Sequence, residues 1–145
     1  MHKEISKWLE ENNYSIEDIN KQGNYGNTAL MKAAKEGNAH LVSELIKLGA
    51  NIHMKNVDGN TALWLACFGE NLEVIRTLLQ EGIEIDTVNV NGVTPLMYAA
   101  SSGKEAIVKQ LIFAGADANL KNLDDFTAID LAVTPTILKL LRHTY

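Results

Sequence analysis

Hydrophobic positions return along this chain at a fixed interval. Val42/Leu45/Ile46, Ile75/Leu78/Leu79 and Val108/Leu111/Ile112 are aliphatic trios spaced three and four residues from their first member, and each trio lies 33 residues after the last. That spacing puts one apolar stripe on one side of a helix. A second apolar pattern precedes each trio: Ala29-Leu30-Met31, Ala62-Leu63-Trp64 and Pro95-Leu96-Met97, followed by the small pairs Ala33/Ala34, Ala66/Cys67 and Ala99/Ala100. The small pairs leave room for a neighbouring helix to come close. Each interval therefore predicts two short helices. Ile5, Trp8 and Leu9 repeat the spacing of the trios and predict one further helix of the second type at the N-terminus, with no first-type partner.

The polar punctuation keeps the same period. Thr28, Thr61, Thr94 and Thr127 are 33 residues apart and stand just before the first helices, where a hydroxyl caps an orphan backbone N–H. Pro95 follows at the first helical position, where its missing N–H is harmless. Gly49, Gly82 and Gly115 end the second helices and fit a left-handed C-terminal position. Asn56-Val57-Asp58-Gly59 and Asn89-Val90-Asn91-Gly92 read as turns. Apolar trios, threonines and glycines share one register with no insertion or deletion from Thr28 to Thr127. One such unit cannot bury its apolar face alone, so the units are expected to stack on a shared core.

The stretch Gly92-Val93-Thr94-Pro95-Leu96-Met97-Tyr98-Ala99-Ala100 through Gly115-Ala116-Asp117 resembles the ankyrin repeat, and the resemblance runs from Gly23 to Leu141. It implies an all-α solenoid of stacked helix-turn-helix units with β-type turn tips. It implies one domain over 1–145: a capping helix and link over 1–22, full repeats over 23–55, 56–88 and 89–121, and a shortened capping repeat over 122–145. Three departures stand out. The family's usual His after Thr-Pro-Leu is Met31, Trp64, Met97 or Asp130, so a local hydrogen bond is expected to be missing. The inter-helix glycine, Gly37 and Gly103, is displaced to Gly69 in the middle unit, which leaves Glu70 in its place. Placing Leu140-Leu141 against Leu111-Ile112 removes four residues from the last unit. Lys139, Arg142 and His143 supply a polar, basic terminus, and a chain capped at both ends is expected to be whole.

Composition narrows the function. With 46% hydrophobic and 21% charged residues the chain is of ordinary folded type, and a net charge of −5 disfavours nucleic acid or an anionic membrane as partner. No run approaches the roughly 20 apolar residues of a membrane span. The single cysteine, Cys67, forbids an intrachain disulfide, and it takes the small-residue place held by Ala34 and Ala100, so it is expected to be buried and inert. The expected location is the cytoplasm. His2, His40, His53 and His143 offer no pair at helix ligand spacing, and no glycine run makes a phosphate cradle. No catalytic, cofactor-binding or metal residues are assigned, and none of the reaction classes those would serve.

What the repeat leaves free is the variable surface. Tyr25, Asp58, Asn91 and Asp124 stand at the turn tips, Val93 and Phe126 just before the threonines, and Leu65, Phe68 and Tyr98 on the first helices. Together they predict a partner-binding surface on the concave side, with apolar anchors joined by Val57 and Val90. Leu65 and Tyr98 have an alternative reading as packing between first helices, and Trp64 and Met97 are expected beneath the turns. The resemblance implies a protein–protein interaction module, monomeric, serving as adaptor, inhibitor or recognition subunit. A small enzyme or ligand-binding protein using the groove, or a self-associating structural module, is the alternative.

Overall fold

The computed structural model describes residues 3–143; Met1, His2, Thr144 and Tyr145 lie outside the described residues, so the expectation for His2 is untouched by it. Its helices come as pairs after a lone first one: α1 (Lys3–Glu11); α2 (Ala29–Glu36) and α3 (Ala39–Lys47); α4 (Ala62–Phe68) and α5 (Leu72–Gln80); α6 (Pro95–Ser101) and α7 (Glu105–Phe113); α8 (Ala128–Leu131) and α9 (Pro135–Arg142). The first helices α2, α4, α6 and α8 pack side by side as one layer, and the second helices α3, α5, α7 and α9 form the other. The aliphatic trios and small pairs lie between and within these layers. Val42, Leu45, Ile75, Leu78, Val108, Leu111, Ala33, Ala66 and Ala99 have no exposed surface, and α1 adds Ile5 and Leu9 to the same core.

Side-chain caps and glycine turns mark most of the helix boundaries. Thr28, Thr94 and Thr127 cap their helices by accepting from the backbone N–H of Met31, Met97 and Asp130. Asn38, Asn71 and Thr134 do the same for α3, α5 and α9. After the second helices, Gly49, Gly82 and Gly115 take φ of 100°, 88° and 97°, the left-handed region expected of their C-terminal positions. At the tips Gly59 N–H and Gly92 N–H donate to the carbonyls of Asn56 and Asn89, and the Asn side chains accept two further backbone N–H groups each. Successive tips are tied by Val57 N–H to Tyr25 O, Val90 N–H to Asp58 O and Leu123 N–H to Asn91 O, at 2.9 to 3.1 Å. A side chain at Gly59 or Gly92 would press within 3.0 Å of the Val90 or Leu123 backbone nitrogen, so the glycines serve both the turn and this tie.

Several expectations need correction. The threonine rule fails at Thr61, whose side chain makes no cap bond although its backbone is extended like the others. The hydrogen bond expected to vanish with histidine is largely kept. Met31 Sδ accepts from Thr28 N–H at 3.4 Å, Met97 Sδ from Thr94 N–H at 3.5 Å, and Asp130 Oδ2 from Thr127 N–H at 3.0 Å. Thioether and carboxylate are both acceptors; the Trp64 indole is donor only, so the middle unit alone lacks the pair. The deletion in the last unit is three residues, not four. Counted from cap to cap, Thr127 to Thr134 spans seven residues where Thr94 to Lys104 spans ten, so the buried Leu141 matches Leu111 and Leu140 matches Gln110. The far end is also less polar than expected, since Leu123, Phe126 and Val133 are exposed there beside the basic α9.

Candidate functional site

The first-helix face of the two middle units holds an aromatic cluster. Trp64 and Phe68 are one turn apart on α4, and Tyr98 reaches them from α6. Ring centroids are 4.6 Å apart for Trp64–Tyr98, 5.9 Å for Trp64–Phe68 in a stacked arrangement, and 6.4 Å for Phe68–Tyr98. Contacts at these separations are favourable beyond simple burial. Phe68 nonetheless remains 46% exposed. At the same places on α2 and α6 stand Met31 and Lys35, then Met97 and Ser101, so the repeat does not call for aromatics here.

Two lysines frame the cluster. Lys104 sits where Asn38 and Asn71 cap the earlier second helices. Its longer side chain leaves its own helix uncapped and crosses to the end of α4, where Nζ donates to the carbonyls of Cys67 and Phe68 at 3.0 Å each and pairs with Glu70 at 3.8 Å. The side chain is only 12% exposed. Its charge lies 5.6 Å from the Phe68 ring centre and 5.0 Å from that of Tyr98, and Lys35 lies 5.3 Å from Phe68 on the other side. Beneath, burial pushes the Cys67 thiol up to about 12, against the opposing pull of Lys104. At neutral pH it is a protonated, enclosed thiol rather than a nucleophile.

The backbone under the cluster explains the displaced glycine. Gly69 ends α4 in a right-handed conformation, and a Cβ there would run into the Lys35 carbonyl oxygen. Glu70 then takes φ 59°, the left-handed turn that Gly37 and Gly103 make in the neighbouring units. Close approach of α4 to α2 has claimed the glycine, and the turn is left to a residue with a side chain.

Between the first two tips a cavity of about 240 Å³ opens beside this cluster. Tyr25, Asp58, Leu65 and Phe68 line it, together with Lys35, Asn60 and Trp64. Asn60 Oδ1 and Trp64 Nε1 are buried without a hydrogen-bond partner. Tyr25 projects at 76% exposure from a left-handed backbone at φ 59°.

Of the residues singled out from the sequence, the structure brings Tyr25, Asp58, Phe68 and Tyr98 toward one area and leaves Asn91 exposed on the next tip. Val93 is half-buried, packed on the core. Asp124 and Phe126 are exposed on the last unit, away from the cavity. Leu65 is only 7% exposed, so it is not an exposed anchor. Its position on α4 directs it toward α2, where it helps line a second recess with Met31, Lys32 and Lys35. Trp64 is half-buried beside the tip residues Asn56, Asp58 and Asn60, and unlike Met97 it also packs against Phe68 and Tyr98. Lys104 is not among the residues that the sequence pattern marks. The replacement of Asn by Lys at one cap position was the available signal.

Paired helices in two layers, joined by tied turn tips, define a helical repeat stack whose variable side chains gather on the first-helix face. The ankyrin-repeat family model matches three times, over residues 2–89, 30–122 and 84–143, and the chain belongs to the ankyrin repeat family. Ankyrin repeats are generally protein–protein interaction modules, and the family is typically non-enzymatic. A search of the curated proteins found no match to the chain. Among the described residues, no helix is long and apolar enough to cross a membrane, and no three His, Cys, Asp or Glu side chains group as a metal site.

Proposed function

We propose that this chain binds a partner protein through the tips and first helices of its middle units, acting as a monomeric, cytoplasmic adaptor, inhibitor or recognition subunit. The observation that carries this reading is the Trp64–Phe68–Tyr98 cluster, aromatic at positions where the neighbouring repeats have no aromatic and partly open to solvent. Interfaces commonly anchor on a few aromatic side chains that lose water completely on binding. Lys35 beside Phe68, with no ion pair among the described residues, suits a carboxylate on the partner. Asp58, Asp124 and Asp125 at the tips suit a basic rim further along and would speed association. The unpaired Trp64 N–H and Asn60 carbonyl oxygen give the partner's polar groups a reason to enter the cavity between the tips.

The test is capture of the partner from the native source by immobilised chain. Phe68→Glu with Tyr98→Glu is expected to abolish it, because binding would bury unpaired charge. Glu44→Lys on α3 is expected to leave it unchanged, once circular dichroism shows that both proteins stay helical and melt cooperatively. Loss of capture by the α3 variant with retention by the aromatic variant overturns the reading.

A further inference from the structure

The opposite layer carries a second feature. Between α7 and α9 lies a groove of about 510 Å³ lined by the apolar Ile112, Phe113 and Leu140 and by Lys109, Lys139 and His143. The repeat provides internal controls for it. Phe113 is the ninth residue after the cap of its helix, and the ninth residues of α3 and α5 are Lys47 and Gln80. Leu140 is the sixth after its cap, where α5 and α7 carry Thr77 and Gln110. Gln110 covers the neighbouring groove by donating to the Leu72 carbonyl at 2.8 Å, which Leu140 cannot do. Both apolar residues thus stand where the same fold is built with polar ones, and Phe113 is 81% exposed.

Charge departs from the repeat in the same place. On α3 and α5, Lys47 and Arg76 are paired with Glu44 and Glu73. Among the described residues, Lys109, Lys139 and Arg142 have no such partner, and α9 contains no acidic residue. This basic charge on a chain of net charge −5 is a local feature, set against the sign of the whole. The α9 side of the groove runs from Thr136 to His143, about 10 Å at 1.5 Å per residue, or two helical turns.

We infer that the α7–α9 groove is a second docking site, which takes a short amphipathic helix of a partner protein, with aliphatic anchors one turn apart and acidic residues on both flanks. Helix-in-groove recognition needs an apolar lining of this kind and reads its partner through spaced anchors. The apolar lining is unsuited to nucleic acid, and a net negative chain whose local cations are Lys109, Lys139 and Arg142 is weakly drawn to an anionic bilayer. The chain's own amphipathic helix α1 already has Ile5 and Leu9 buried in the stack, so α1 of a second copy does not supply the occupant.

The probe is a synthetic helical peptide, acetylated and amidated, with two leucines one turn apart and glutamates flanking them. A second peptide has lysines for the glutamates. Titrated against the full chain by calorimetry, the acidic peptide is expected to bind with Kd in the range of ~10–100 µM and more weakly as salt rises. Phe113→Gln with Leu140→Gln is expected to weaken it at least about tenfold, without loss of melting temperature, since glutamine stands at the equivalent positions in neighbouring repeats. Lys139→Glu is expected to shift preference toward the lysine peptide. Phe68→Glu, on the other layer, is expected to leave both titrations unchanged, which keeps this site distinct from the first-helix face. Absence of saturable binding, equal binding of both peptides, or indifference to the double glutamine variant overturns the inference. Binding of phosphatidylcholine–phosphatidylserine vesicles lost in that variant, with no peptide binding, overturns it in favour of a membrane surface.

Discussion

The middle repeat and its two neighbours are built on one plan, and their differences fall in one place. In the flanking repeats, threonine and methionine exchange hydrogen bonds at the start of the first helix, and a glycine makes the left-handed turn between helices. The middle repeat lacks both halves of the exchange: the Trp64 indole has no acceptor and the Thr61 hydroxyl makes no cap bond; and it makes the same turn with Glu70. It also needs a glycine at position 69, where its neighbours carry Glu36 and Ser102. Three local devices of stability are weakened within ten residues, and there the exposed Phe68 meets the half-buried Trp64 and Tyr98. Departures from local consistency concentrate where something other than the fold selects the residue.

The broadest way to break the comparison is through what all repeats share. Leu78→Ala is expected to cost about 2–5 kcal/mol in urea denaturation, as is Leu111→Ala, because both are fully enclosed between stacked helices. A cost below that range for Leu78 alone would mean that the middle repeat packs more loosely than its neighbours. Next comes Gly69→Ala, expected to cost about 1–3 kcal/mol through the collision with the Lys35 carbonyl, while Ser102→Ala at the matching place should be near neutral. Equal effects at the two positions would remove the close approach of α4 to α2 as the reason for the glycine.

Smaller effects sharpen the contrast. Glu70→Gly is expected to stabilise by about 1 kcal/mol, and Gly37→Ala to destabilise by a similar amount, since both positions need positive φ. The Glu70 ion pair with Lys104 is two-thirds exposed on the glutamate side, so its loss subtracts little. A fall in melting temperature for Glu70→Gly would show that this pair outweighs the backbone strain. Smallest is the cap difference. Thr94→Ala is expected to cost about 1 kcal/mol and Thr61→Ala only a few tenths, because Thr61 has no side-chain bond to lose. Thermal denaturation of the two single variants measures it directly.

The fold was legible because it is written several times over. Any one helix of seven to nine residues is ambiguous, but the same pattern at a fixed interval fixes caps, stripes and turns together. The surface was legible only in part. Periodicity within a helix says nothing of how near the next helix lies, and so it could not decide between Leu65 as anchor and Leu65 as packing. Trp64 holds the place of Met31 and Met97, but its indole contacts Phe68 and Tyr98, a neighbourhood that periodicity does not encode. Lys104 reaches the end of α4 from a position 36 residues on, a contact that no local pattern contains. Phe113 lies outside the aliphatic trios, and only its contrast with Lys47 and Gln80 at the equivalent places marks it.

Site-specific photo-crosslinking in the native source most directly tests whether the middle repeat has exchanged local stability for a binding surface. A benzophenone side chain replaces Phe68 on α4 in one protein and Glu44 on α3 in another. A discrete adduct of this chain with a different protein is expected from position 68 and none of that mass from position 44. The same adduct from position 44 alone, or adducts at position 68 that contain only further copies of this chain, would contradict it.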